Sequence, residues 1–451
     1  MNERERKMAE APLLPTMLSM GIPIFIAQFI SILYNIVDRI FIGHIAGTGS
    51  LALTGVGLCL PVIIAINAFA GLVGSGGAPQ AGIALGQQDR DKAERILGNG
   101  TSMLIIMAVV LTVVLELVKK PCLYLYGASD ATYVYSEQYL TIYLLGTIFV
   151  MLTLGLNTFI TVQGAAMTAM ITTLIGAVLN LILDPIFIFV LGLGVQGAAI
   201  ATVISQAVSA VWILIFLNSG KASLRIHTDK MKLESTTVRD ILKLGVSPFV
   251  MSLTESLINV VYNSGAARYG GDVYVGSITI LQSVMQMIFT PLCGFAAGVQ
   301  PIISYNYGAR NMDRVKKACR ALILTCFIFS NLCTVVTLIF PSQIASIFTT
   351  DQELIDVCTR ALPIFMAGML VFGLQTGSQT SFMALSKAKQ SLFFAIFRKI
   401  ILLIPLAIIL PAATGSVWGL YVAEPISDAV AGITCVTVFV LSMKKEFNAV
   451  E

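Results

Sequence analysis

Twelve apolar stretches, each about as long as a helix that crosses a bilayer, constrain this chain more than any other feature. They fall near 17–43, 51–76, 96–118, 134–157, 166–190, 195–217, 246–267, 273–303, 318–340, 359–384, 391–412 and 417–443. A helix needs about 20 apolar residues to cross the hydrocarbon core. A membrane β-barrel would instead show alternating segments of about ten residues. The runs here do not alternate, so they read as helices. Only 12% of the 451 residues are charged and 57% are hydrophobic, where a soluble chain carries about 25% charged residues. That leaves too little polar surface to cover a water-soluble core. The expected fold is all-α and integral to the membrane, with lipid covering most of the outer surface.

An even number of spans puts both ends on one side, and the distribution of basic residues selects which side. With cytoplasmic termini, 21 of the 28 Lys and Arg residues fall on inside segments and four on outside loops: Lys119, Lys120, Arg268 and Arg360. The other three, Arg39, Arg398 and Lys399, lie within spans. The N-terminus carries Arg4, Arg6 and Lys7 but no small-residue cleavage site after a short apolar core, so it does not read as a removable signal peptide. The eight cysteines form no C-x-x-C pair, and the two histidines, His44 and His227, stand in no metal-ligand spacing. The cysteines read as small core residues.

The two halves resemble each other. Val195-Gln-Gly-Ala-Ala-Ile-Ala-Thr-Val-Ile-Ser-Gln206 aligns with Val417-Trp-Gly-Leu-Tyr-Val-Ala-Glu-Pro-Ile-Ser-Asp428, with five of twelve positions identical at an offset of 222. Leu85-Gly86 recurs as Tyr307-Gly308 at the same offset, and Gly21-Ile-Pro23 has a partner in Gly245-Val-Ser-Pro248. The expected organisation is an N-terminal six-helix lobe over 1–217, a cytoplasmic connection over 218–243 and a C-terminal six-helix lobe over 244–451. Parallel repeats of this kind, related by an axis along the membrane normal, are a secondary-transporter architecture. The glycines and prolines of spans two and eight (Gly74, Gly76 and Pro79; Gly294, Gly298 and Pro301) read as close-packing positions.

Each acidic residue inside a span needs a reason, because it costs roughly 2.5–3.5 kcal/mol at a helix centre. Asp38 lies in span one and Asp184 in span five, each about seven residues before the outer end of its span; Thr202 lies about as far into span six. At 1.5 Å per residue all three sit about 10 Å below the outer interface. Asn180 is one turn from Asp184 on the same face, and Tyr34 one turn from Asp38. Two carboxylates, an amide and hydroxyls brought together suit a proton or Na⁺. The alternative is that Asp38 pairs with Arg39 or headgroups and Asp184 caps a kink at Pro185. Glu255, in span seven, has no base close in sequence and is a candidate for a cationic substrate or a proton. Glu424 and Asp428, one turn apart in span twelve, read as ion-pair partners of Arg398 and Lys399.

Asn35-Ile-Val-Asp-Arg-Ile-Phe-Ile-Gly43, Gly74-Ser-Gly-Gly-Ala-Pro79 with Leu85-Gly86, and Asn180-Leu-Ile-Leu-Asp-Pro-Ile-Phe-Ile188 followed by Gly194-Val-Gln-Gly-Ala-Ala-Ile-Ala-Thr202 together resemble the multidrug and toxic compound extrusion (MATE) family, in particular its MepA- and DinF-like bacterial branch. The resemblance covers essentially the whole chain. It implies a V-shaped pair of six-helix bundles and export of organic cations and drugs in exchange for H⁺ or Na⁺, with no other cofactor. In DinF-like members the coupling site matches Asp38, Asn180, Asp184 and Thr202, with Tyr34 and Asn157 nearby; Asp38 and Asp184 are the candidates for a bound Na⁺. NorM-like members instead use a seventh-helix glutamate, matched by Glu255, and a tenth-helix aspartate. The tenth span here, around Leu374-Gln-Thr-Gly-Ser-Gln379, has no carboxylate, which favours the N-terminal lobe.

On this reading a cationic or amphipathic substrate is held by aromatic and apolar walls with Tyr34, Asn157, Asp184 and Glu255. The chain is expected to be a monomer in a bacterial cytoplasmic membrane, with no nucleic-acid partner. A lipid-linked oligosaccharide flippase is the alternative, but it would need a basic central cavity. An enzyme is not expected: no Ser/His/Asp set, P-loop or metal-ligand cluster appears.

Overall fold

The computed structural model describes residues 3–448, so the outermost residues of the two expected lobes, 1–2 and 449–451, lie outside the described residues. A short helix α1 (Glu3–Glu10) precedes α2 (Leu13–Gly43), α3 (Gly49–Gly86), α4 (Arg90–Leu125), α5 (Asp130–Leu145), α6 (Thr147–Val162), α7 (Ala166–Pro185) and α8 (Gly194–Asn218). The second half comprises α9 (Ser235–Tyr269), α10 (Asp272–Gly308), α11 (Met312–Ile339), α12 (Pro341–Phe348), α13 (Gln352–Met366), α14 (Met369–Ala384), α15 (Ala388–Ile396), α16 (Ile404–Thr414) and α17 (Trp418–Asn448). Ten helical spans are long and apolar enough to cross a membrane, and two bent pairs bring the total to twelve if each counts as one span. Their outer faces are apolar: Val109, Val110, Val113 and Leu117 of α4 are all exposed. In water such a surface would be a large aggregation-prone patch; facing lipid it is the expected one.

Spans four and ten, read as continuous, are broken. α5 and α6 meet at 57°, and α13 and α14 at 45°. The bends fall at Gly146 and Gly368, which stand 222 residues apart. Each glycine admits a close neighbour. A Cβ at Gly146 would strike the Val203 side chain, and one at Gly368 would strike Pro425 and Asp428. The same offset recurs at the turns after α3 and α10. Gln88 and Arg310 both adopt left-handed backbone, with φ of 60° and 58°. The next residues, Asp89 and Asn311, cap the following helices by accepting from Lys92 N and Arg314 N. The internal repeat thus extends from sequence to individual caps and bends.

The halves meet where glycines let backbones touch. Gly76 packs on Ile241 and Gly245, Gly298 on Met20 and Gly21, Gly86 on Tyr305, and Gly308 on Ile83. These positions lie in the first half of α2 and α9 and the second half of α3 and α10, so the contacts gather at the end that carries α1 and segment 219–234. Any side chain there would collide with backbone, which a packed interface cannot absorb.

Helix α1 bridges the two halves at that end. Arg4 donates to Lys221 O at 3.0 Å and Glu5 pairs with Arg90 at 3.2 Å. From the other half, Asn306 Nδ2 donates to Met8 O at 3.0 Å, and Arg314 donates to Met8 O at 2.9 Å and Ala11 O at 2.6 Å. The polar connection expected over 218–243 stops short of that range, because α9 begins at Ser235: Ile241 and Leu244 are buried and continue the helical face. The segment before α9 is strapped to the first half, with Gln163 Oε1 accepting from Ser223 N and Leu224 N, and Asn99 Oδ1 accepting from Glu234 N. The cysteines are all free; Cys59, Cys319, Cys326, Cys358 and Cys435 are buried.

Candidate functional site

Helix α7 carries Asn180 and Asp184 on one face, one turn apart. Pro185 removes a backbone donor directly after them, and the chain continues as a π-helical turn over Ile186–Val190. Asn180 Nδ2 donates to Asp184 Oδ1 at 3.1 Å and reaches Thr202 Oγ1 of α8 at 3.4 Å. Thr202 spends its own proton on Ala198 O at 3.0 Å, so its oxygen is free to accept. Asp38 of α2 comes across to face the Asp184 carboxyl. Tyr139 of α5 lies against Thr202 and Asp38, and Tyr34 stands close to both acids. Asp184 and Asn180 are 1% and 3% exposed.

The decisive detail is what this cluster lacks. Asp38 Oδ1 and Asp184 Oδ2 are buried with no hydrogen-bond partner, and the adjacent Arg39 is exposed. A buried acceptor without a donor costs about 1–3 kcal/mol, more when charged. Two facing carboxyl groups in that condition are satisfied by a proton shared between them or by a small hard cation. Among the described residues no group of three or more His, Cys, Asp or Glu could hold a metal ion. A cation here would therefore add neutral oxygens to the two carboxylates.

Next to the cluster opens a cavity of about 350 Å³ between α2, α3, α6, α7, α8 and α10. Tyr34, Asn157, Asn180 and Thr202 line it. Asp184 and Glu255, expected to join them on the substrate, do not. The walls are not aromatic, since Tyr34 is the one aromatic residue among the described lining residues; their surface is more apolar than polar, with amides and hydroxyls distributed through it. Asn157 and Asn180 were legible in the sequence, whereas Gln206 and Gln300 of the lining were not, although a Gln in an apolar run carries a related, smaller cost that marks it in the same way.

The second half holds a different kind of cluster. Arg398 donates to Asp428 Oδ1 at 2.7 Å and Glu424 Oε1 at 3.2 Å, and lies over the Phe372 ring at 4.4 Å. Tyr262 donates to Glu424 Oε2 at 2.8 Å. Lys399 does not join the span-twelve acids as expected. It pairs with Glu255 and donates to Met251 O. Glu255 thus has a base after all, 144 residues away in sequence. The π-helical stretch Phe397–Leu403 carries Arg398 and Lys399, both buried. Three acids here face two bases, whereas among the described residues no base forms an ion pair with Asp38 or Asp184, and only the exposed Arg39 acts on Asp38 from nearby.

Comparison with known proteins agrees with this architecture. The family described as MatE matches residues 23–186 and 248–409. Multidrug export protein MepA of Staphylococcus haemolyticus (strain JCSC1435) is 27% identical over 420 residues, covering 92% of each chain. MepA of Staphylococcus aureus (strain N315) is 28% identical over 422 residues, again 92% of each. Among solved structures, an outward-facing multidrug resistance MATE family transporter of the MOP superfamily superposes with a TM-score of 0.92 at 23% identity, over 98% of both chains.

Proposed function

Because the chain belongs to the MATE family, we propose that it is a secondary antiporter of a bacterial cytoplasmic membrane, exporting organic cations and other drug-like solutes in exchange for H⁺ or Na⁺. We read it as a monomer of two six-helix lobes joined through the segment before α9, with both termini cytoplasmic. The observation that carries the proposal is the pair of orphaned oxygens, Asp38 Oδ1 and Asp184 Oδ2. An uncompensated acid pair changes its charge when it captures a proton or Na⁺, and that change gives the ion a differential affinity for two arrangements of the lobes.

In this scheme the glycine contacts at the α1 end hold the cavity closed to the cytoplasm. Ion capture at Asp38 and Asp184, from the far side, alters how α2 packs on α7, and the adjoining cavity releases its solute outward. The solute-free, ion-loaded carrier then returns inward and releases the ion to the cytoplasm. Lipid-linked oligosaccharide flipping is disfavoured by the cavity, whose lining carries no Lys or Arg to meet a pyrophosphate. The test is dye efflux in everted vesicles under an imposed pH or Na⁺ gradient. Efflux should follow one of the two gradients and collapse when that gradient is dissipated; indifference to both would overturn antiport.

A further inference from the structure

We propose that helix α1 is a clasp on the cytoplasmic closure and that Arg314 fastens it, so that the two halves separate toward the cytoplasm only when Arg314 releases the carbonyls of Met8 and Ala11. This rests on reading the α1 end as the cytoplasmic closure of an alternating-access carrier, and it names a residue that positions the halves for transport.

The two sides of α1 are held in different ways. Toward the first half it is anchored by its own side chains. Glu5 pairs with Arg90, and Arg4 donates to Lys221 O and lies over the Phe216 ring at 5.8 Å. Met8 is buried, and with Arg4 it fills the space that a Cβ at Gly164 would need, at a turn where φ is 78°. Toward the second half the roles reverse: α1 offers backbone carbonyls, and the second half supplies the donors. Arg314 Nε and Asn306 Nδ2 donate to Met8 O, and Arg314 Nη2 donates to Ala11 O. The sequence explains why these two carbonyls are open. The helical partner of Met8 O would be the amide of residue 12, and that of Ala11 O the amide of residue 15. Both positions are proline, Pro12 and Pro15, and neither has an N–H to give. The amide of Ala11 is already spent on Lys7 O.

The clasp is one-sided. At the offset of 222 that relates the halves, Asn306 and Arg314 correspond to Ala84 and Lys92. Ala84 has no side-chain donor, and Lys92 is exposed. The fastening is therefore not part of the duplicated scaffold but is added to it at one seam. The glycine contacts beside it bring backbones close without a directional bond, and they can part along the seam. The Arg314 bonds cannot: separating the halves at this end pulls α1, anchored on the first half, away from Arg314 on the second. Hydrogen bonds from a charged donor are roughly twice as strong as neutral ones. Their loss on opening therefore weights the equilibrium toward the arrangement with this end closed.

Pulsed EPR distances on the purified full chain in lipid nanodiscs, with no solute and no gradient, test this. One label pair sits at the α1 end, at Lys92→Cys and Lys317→Cys, and another at the opposite end, at Lys120→Cys and Arg360→Cys; all four positions are exposed. The background replaces Cys122, Cys293 and Cys333 with serine, since the other five cysteines are buried. The unmodified clasp should give mainly short distances at the α1 end. Arg314→Met should raise the ratio of separated to closed halves there about tenfold or more, and the opposite pair should draw together in step, which a merely frayed α1 would not cause. Arg314→Lys, which keeps the charge but loses the fork, should fall between. Arg4→Ala with Glu5→Ala cuts the clasp from its other side and should shift the distances the same way. Adding Arg314→Met to that pair should then shift them little further, because both cuts break one connection. Separated halves before any substitution, unchanged distances in Arg314→Met, a shift at the α1 end alone, or additive effects of the two cuts would overturn the proposal. Gradient-driven efflux with unmoved distances would remove the clasp and keep antiport; shifted distances with efflux indifferent to both gradients would do the reverse.

Discussion

Asp184→Asn is expected to reduce ion-driven efflux up to about 100-fold while leaving a folded protein in the membrane. The size follows from the usual range of coupling free energies, about 1–3 kcal/mol, which disappear when the coupled charge is removed. The folded state should survive because asparagine has nearly the same volume, and its own side-chain oxygen can still accept from Asn180 Nδ2, as Asp184 Oδ1 does at 3.1 Å. One of two facing carboxyls is lost, the other acid is relieved of its neighbour, and no unpaired charge is created. Vesicle efflux under the effective gradient measures the loss, and a monodisperse elution profile in mild detergent checks the fold. Efflux at the wild-type rate would remove Asp184 from the coupling site.

Arg398→Met is expected to do the opposite, damaging the fold more than the coupling chemistry. Arg398 is 5% exposed and holds both Asp428 and Glu424. Lys399 is already committed to Glu255 and Met251 O, so no second base is available to replace it. Removing one partner of a buried ion network typically costs about 3–5 kcal/mol, because the remaining charges stay buried and unpaired. For a chain of this size that corresponds to a Tm lower by about 3–5 °C. Combining Arg398→Met with Glu424→Gln and Asp428→Asn should recover most of the loss, since matched neutral groups avoid the uncompensated charge. A thermal-shift measurement on the single and triple variants decides it: an unchanged Tm for Arg398→Met would mean that the network does not stabilise the second half.

The contrast between the two clusters explains why one was legible in the sequence and the other only partly. Asp38 and Asp184 announce themselves singly, since an acid in an apolar run has no inexpensive alternative, and Asn180 follows from helical spacing alone. The Glu255–Lys399 pair joins residues 144 apart, and nothing in either segment specifies the other. The ten unbroken spans were legible because hydrophobic length sets them. The breaks at Gly146 and Gly368 were not: a lone glycine inside a helix costs only about 1 kcal/mol, and what bends the chain is close packing against Val203 in one half and Pro425 in the other. Helix α1 was equally invisible as structure. Its charges suggested only a cytoplasmic end, whereas its role in joining the halves depends on carbonyls of Met8 and Ala11 that any residue would supply.

Asp38 and Asp184 together are expected to capture an ion whose binding opposes that of the exported solute. By linkage, the ion must weaken solute binding by the same factor by which the solute weakens ion binding. Solute affinity measured on the purified protein across pH and across Na⁺ concentration tests this without any transport step. Affinity should fall several-fold or more as the coupling ion is added to the wild-type chain, and should be flat in the Asp38→Asn/Asp184→Asn double variant. An equal ion dependence in both proteins would contradict the account.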